Sequence, residues 1–104
     1  MDFVDYLEGL DGLRGARRFV ITILLTIQDY MERGEVIYGQ LIHRLLGGGK
    51  KTVFDRIEEL EHHGFIVKRV VDRGYPRIIG LELTERGQEV SAILRQLRDF
   101  DLDR

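Results

Sequence analysis

The spacing of apolar residues changes at Gly64, and this constrains the fold more than any other feature of the 104-residue chain. Before it, Val53, Ile57 and Leu60 recur at the three- and four-residue intervals of a helix with one buried face. After it, Phe65 to Val71 reads as a strand, and Ile79, Leu81 and Leu83 alternate along another. Asp72-Arg73-Gly74-Tyr75-Pro76 lies between them and carries turn residues, so the two strands form a β-hairpin. A helix followed directly by a hairpin excludes a pure helical bundle and an all-β sandwich.

The upstream segments supply more helices. Arg17 to Arg33 reads as a long helix ended by Gly34. Phe19, Val20, Ile21, Ile23, Leu24, Leu25 and Ile27 leave its first half almost without a polar face, which demands cover on more than one side. Such a helix is either central or part of a subunit interface. Glu35-Val36-Ile37 suits a short strand, and Tyr38 to Leu46 a second helix buried through Leu41, Ile42, Leu45 and Leu46. Gly47-Gly48-Gly49 breaks that helix, and a third runs from about Lys50 to His62. Thr52 with Asp55 forms a capping-box pattern, while the glycines allow a start one turn earlier. Thr84 caps a last helix with the stripe Val90, Ile93, Leu94 and Leu97. Residues 1–15 form an arm or short helix, with Gly9, Gly12 and Gly15 between isolated apolar residues, and residues 16–104 form the main domain.

A chain of this length supports one core, burying roughly 60–70% of its unfolded surface. With 43% apolar residues that core can be filled. The absence of cysteine excludes disulfides and thiolate metal sites. Acids at positions 2 and 5 stand where a signal peptide would carry bases, and the apolar run from Phe19 to Ile27 is too short to span a bilayer. A cytoplasmic protein is expected. Net charge is −2, which by itself does not favour a nucleic-acid partner. Its distribution matters more: between Arg44 and Arg77 eight Lys/Arg face five acids, whereas the first thirteen residues hold four acids and no base.

The segment from Thr52 to Ile66 resembles the recognition helix and following strand of winged-helix regulators of the MarR and PadR type. Leu81-Glu82-Leu83-Thr84-Glu85-Arg86-Gly87 resembles the strand-to-helix junction behind the wing in those families. The resemblance covers about residues 17 to 98. It implies an α+β, mostly α winged helix-turn-helix: a three-helix core, a β-hairpin wing and an additional C-terminal helix. It further implies a transcriptional regulator that binds double-stranded DNA as a homodimer, with the third helix in the major groove.

Burying Val53, Ile57 and Leu60 is expected to turn Lys50, Lys51, Thr52, Asp55, Arg56 and Glu59 outward. Lys50 and Lys51 flank a helix N-terminus, where open N–H groups and the dipole favour phosphate. Arg56 could fork onto guanine, Thr52 could touch phosphate or a thymine methyl, and Asp55 or Glu59 could accept from cytosine. Arg73 and Arg77 flank Gly74-Tyr75-Pro76, a basic hairpin tip suited to backbone or minor groove, with Tyr75 at its apex. Each has a plainer rival: a solvated helix start for the lysines, an Arg56 pair with Glu59 or Asp55, an ordinary polar turn for the hairpin. Asp55, Glu58, Glu59 and Glu61 repel phosphate unless they pair with Arg44 or Arg56. Those acids fit a second reading, a winged-helix protein–protein interaction module of a larger complex.

Other signals are weaker. Gly49-Lys50-Lys51 would be a phosphate loop only with glycine at position 44 and Ser or Thr at position 51. His43, His62 and His63 lack zinc-like spacing. No nucleophile–base–acid set is visible, so neither an enzyme nor a cofactor is expected. The dimer would use the N-terminal residues, the apolar first long helix and the last helix, where Leu97, Phe100 and Leu102 extend the apolar pattern. A small-molecule effector would then sit at the dimer interface.

Overall fold

The structure, a computed structural model, describes residues 2–10, 12–13, 15–72, 74 and 78–102, with the backbone alone at 72, 101 and 102. Five helices and one hairpin follow in the order α1 (Phe3–Gly9), α2 (Ala16–Glu32), α3 (Gly39–Leu46), α4 (Lys50–His62), β1 (Ile66–Asp72), β2 (Ile78–Leu83) and α5 (Glu85–Leu102). This is the winged helix-turn-helix arrangement expected from the sequence.

The centre of the fold is α2. Val20, Ile23, Leu24 and Ile27 are fully buried, and the helix touches α3, α4, β2 and α5. Of the two explanations for its apolar surface, the central position accounts for this buried side. Each such aliphatic side chain contributes about 1.5–3 kcal/mol by leaving water. Both α2 and α4 stop in the same way. The amides of Gly34 and Glu35 bond to Met31 and Tyr30 carbonyls, and those of Gly64 and Phe65 bond to Glu61 and Leu60 carbonyls. This closure needs a left-handed residue just past the helix, and the two glycines have φ of 69° and 82°.

β1 and β2 pair antiparallel, Ile66 opposite Leu83 and Val70 opposite Ile79, with an irregularity between Val70 and Asp72. Leu81 and Leu83 are buried as expected, but Ile79 is exposed. Val70, Val71 and Ile78 are exposed too, so both faces of the outer hairpin stand clear of the core. The short strand expected at 35–37 reduces to one bridge, in which the Leu81 amide donates to the Ile37 carbonyl at 2.8 Å.

α5 corrects the sequence reading. Of the stripe Val90, Ile93, Leu94 and Leu97, Leu94 is buried and Val90 half-buried, while Ile93 and Leu97 are 60% and 56% exposed. The line buried instead is Gly87, Ser91 and Leu94, spaced four and three residues apart. Its small members bring the helix close to the core. Arg95 then pins α5 to α2, donating to Glu32 at 2.6 Å and to Asp29 at 2.9 Å.

α1 is capped by the Asp2 carboxylate, which accepts from the Asp5 amide at 2.8 Å. Its Tyr6 and the following Leu10 are buried, and Phe3 meets the Phe65 ring edge-on at 5.3 Å. No helix among the described residues is long and apolar enough to cross a membrane.

Candidate nucleic-acid interface

α3 and α4 are joined by Gly47-Gly48-Gly49. Gly48 has φ of 78°, and a Cβ there would stand 2.9 Å from Cζ of Phe19, so the Phe19 ring rests directly on the turn. α4 begins at Lys50, with extended Gly49 as its N-cap and no side-chain capping bond. The earlier of the two possible starts is therefore the one adopted, and the Thr52–Asp55 capping box is not used. Without a capping side chain, the first-turn amides remain available to an external acceptor.

Lys50, Lys51 and Thr52 occupy that turn and are all exposed. Lys50 Nζ lies 5.9 Å from the Phe54 ring centre. Lys51 Nζ donates to Asp55 Oδ2 at 2.8 Å, and this bond raises the lysine pKa above its ordinary value. Lys51 is 88% exposed, and ion pairs in such positions contribute little to stability. A phosphate oxygen competes readily for the same ammonium.

Arg56 does not face outward. Its side chain is 11% exposed and its Nη2 pairs with Glu59 Oε2 at 2.9 Å, as the plainer reading allowed. The reason is spacing: Val53, Arg56, Ile57 and Leu60 fall at i, i+3, i+4 and i+7, so the arginine lies on the core stripe itself. Its aliphatic stem packs inward and only the guanidinium reaches the boundary. The true outer ridge is Lys51, Asp55, Glu58 and His62, each exposed or half-exposed. Glu58 and His62 were missed as members of this face, although the same four-and-three arithmetic would have found them.

Glu59, expected to point outward, is half-buried and doubly occupied. Besides Arg56, it accepts from the Tyr6 hydroxyl at 2.9 Å. Burial, and then the bond to the Glu59 carboxylate, push the Tyr6 phenol well above the ordinary tyrosine range. A raised folded-state pKa gives stability that is complete below the unfolded value of about 10 and declines as pH rises beyond it. Base-induced unfolding should thus begin above about pH 10 and be tied to this phenol. Tyr6→Phe should flatten that alkaline decline, as read by circular dichroism between about pH 9 and 12; an unaltered profile would remove Tyr6 from the account.

The acids of α4 are largely neutralised. Asp55 pairs with Lys51, Glu59 with Arg56, and Glu61 with Lys68 of β1 at 3.3 Å. Arg44, expected beside them, donates instead to the Tyr38 hydroxyl at 3.1 Å. In the hairpin, Arg69 and Glu82 pair across the strands at 2.6 Å. Arg73, Tyr75 and Arg77 lie outside the described residues. Lys50, Lys51, Thr52 and Asp55 are thus gathered at one helix start, while Arg56 is removed from it.

A model of the HxlR-like helix-turn-helix family matches residues 16–103. The chain belongs to that family. HxlR-like helix-turn-helix proteins are DNA-binding transcription regulators, and this chain is one of them. None of the curated proteins matches its sequence. Among solved structures, AF1382 from Archaeoglobus fulgidus superposes with a TM-score of 0.69 at 20% identity, over 81% of this chain and 88% of that one. Diamide-treated YodB from B. subtilis gives 0.61 at 18% identity, over 92% and 85%. A mutant MepR from a multidrug resistant S. aureus clinical isolate gives 0.61 at 19%, over 81% of this chain and 59% of that one. These likenesses are of fold. In this HxlR-like protein, α3, the glycine turn and α4 form the helix-turn-helix, and β1 with β2 forms the wing.

Proposed function

We propose that this HxlR-like protein binds double-stranded DNA in a sequence-specific way as a homodimer, with α4 in the major groove and the wing on adjacent backbone or minor groove. The observation that carries this reading is the uncapped start of α4, where open amides and the exposed Lys50, Lys51 and Thr52 share one turn. Lys50 and Lys51 take phosphates, and Thr52 a phosphate or a thymine methyl. Asp55, released from Lys51, accepts from cytosine, whereas Glu59 stays with Arg56 and Tyr6. Arg73, Tyr75 and Arg77 serve the wing contact. Arg56 is left out, because it is occupied at the core boundary. Affinity rests mainly on phosphates and falls steeply with salt.

The test is fluorescence anisotropy on duplex DNA at two salt concentrations. Binding that weakens strongly with salt supports the proposal. Absence of binding at low salt supports the second reading, a protein-interaction module, which the acidic ridge Asp55–Glu58 on α4 favours.

Ile93 and Leu97 support the dimer. They lie four residues apart on the outer side of α5, both more than half exposed, with exposed Phe100 continuing the line. Two such stripes packed together would bury them and set two α4 helices for a pseudo-palindromic site. Ile93→Glu with Leu97→Glu should yield a folded monomer by light scattering, with DNA affinity reduced at least tenfold. A double variant that remains dimeric would exclude α5 as the seam.

A further inference from the structure

Beside the glycine turn, a cavity of about 550 Å³ lies between the first half of α2 and the end of α3. Arg18, Phe19, Thr22, Thr26, Leu45 and Leu46 line it. Its size falls among ligand pockets, which commonly measure about 300–1,000 Å³. Its wall is mainly apolar, and Leu45 is 54% exposed there. Arg18 stands at this wall, exposed, with no hydrogen bond or ion pair among the described residues. The Thr26 hydroxyl donates to the Thr22 carbonyl at 2.7 Å, and the Thr22 hydroxyl makes no hydrogen bond among the described residues.

We propose that this cavity binds a small apolar carboxylate, its hydrocarbon body against Phe19, Leu45 and Leu46 and its carboxylate on the Arg18 guanidinium. Arg18 repels cations, and a wholly polar anion gains nothing from the leucines. A neutral hydrocarbon leaves the guanidinium without a partner. An amphipathic anion satisfies both halves of the wall. All of the lining residues come from one subunit.

Occupation also reaches the DNA-facing surface. The Phe19 ring that lines the cavity rests on Gly48, in the turn that positions Lys50 and Lys51. A ligand that shifts this ring shifts the turn, so occupancy alters DNA affinity. This regulatory half rests on the DNA-binding reading above, whereas occupancy of the cavity does not.

The experiment uses 4-phenylbutyrate and its neutral amide on the full chain without DNA, followed by calorimetry and by methyl NMR of Leu45 and Leu46. The acid should bind roughly tenfold more tightly than the amide, the scale of one charge-assisted contact. Arg18→Gln should abolish that advantage and leave amide binding unchanged. Equal affinities, or shifts centred away from the two leucines, overturn the site. Leucine shifts that track protein dilution and not the probe assign the groove to a second copy and equally overturn it. With DNA added, saturating probe should change duplex affinity at least threefold. Unchanged affinity with the probe bound overturns the regulatory half alone. A free protein that binds no duplex overturns the DNA reading and the regulation with it, while the calorimetric result on the cavity stands.

Discussion

Gly87→Ala should destabilise the domain by about 3 kcal/mol, lowering Tm by roughly 12–24 °C. An alanine in an exposed helix usually stabilises relative to glycine, by about 0.5–1 kcal/mol, so the sign is diagnostic. Here a Cβ would overlap the Phe65 carbonyl oxygen and come within 3.0 Å of its carbon and 3.4 Å of Leu83 Cβ. Backbone cannot rotate aside as a long side chain can. Relief requires α5 to lift from the corner between α4 and β1, and that corner is tightly fastened. The Thr84 hydroxyl donates to the Gly64 carbonyl at 2.6 Å and accepts from the Gly87 amide at 3.1 Å. Arg86 donates to the His63 carbonyl at 2.9 Å and its guanidinium lies 4.4 Å from the Phe65 ring centre. Lifting the helix breaks these bonds and uncovers Phe65, which is fully buried. Urea denaturation of the purified variant measures the effect. Unchanged or increased stability would show that the junction is looser than this geometry requires.

Lys50→Ala combined with Lys51→Ala should weaken duplex binding roughly thirtyfold at low salt and reduce the slope of log affinity against log salt by about two. Both side chains are exposed at the start of α4, so folding should be almost unaffected. The two positions are not equivalent. Lys51 holds Asp55 at 2.8 Å, so its removal also leaves a bare carboxylate facing phosphate. On duplex of random sequence, where no cytosine contact is selected, Lys51→Ala alone should therefore cost more than Lys50→Ala, and adding Asp55→Ala to it should recover part of the loss. Equal single effects with no recovery would mean that Asp55 never faces the duplex. A double variant that binds like the parent would disqualify this helix start as the contact surface.

The sequence made the architecture legible because its strongest signals are local. The change of period at Gly64, the stop glycines 34 and 64, and the triple-glycine turn each act over a few residues and survive into the structure within one or two positions. Arg56 was misread for a different reason: its charge suggested an outer position, while its spacing from Val53, Ile57 and Leu60 placed it on the buried line. Spacing won, because a long aliphatic stem tolerates burial when the guanidinium finds a carboxylate. α5 hid its packing face in Gly87 and Ser91, two residues that carry no hydrophobic signal, and displayed Ile93 and Leu97 in their place. The Tyr6–Glu59 bond joins residues 53 apart in the chain, and no local pattern announces such a pairing. A cavity is a gap between helices, so the one beside Phe19 had no linear signature at all.

The fastening of α4 is lopsided, and that has a mechanical consequence. Its final turn is held by Tyr6, by the Lys68 bond to Glu61 and by the clasp from Arg86, whereas its opening turn hangs from three glycines. A rod gripped at one end and suspended at the other behaves as a cantilever. Docking against a curved groove then calls for small deflections of the free tip, with the root held still. Amide exchange should reveal this gradient, fast at Lys51 and Thr52 and slow near Leu60, before any duplex is added.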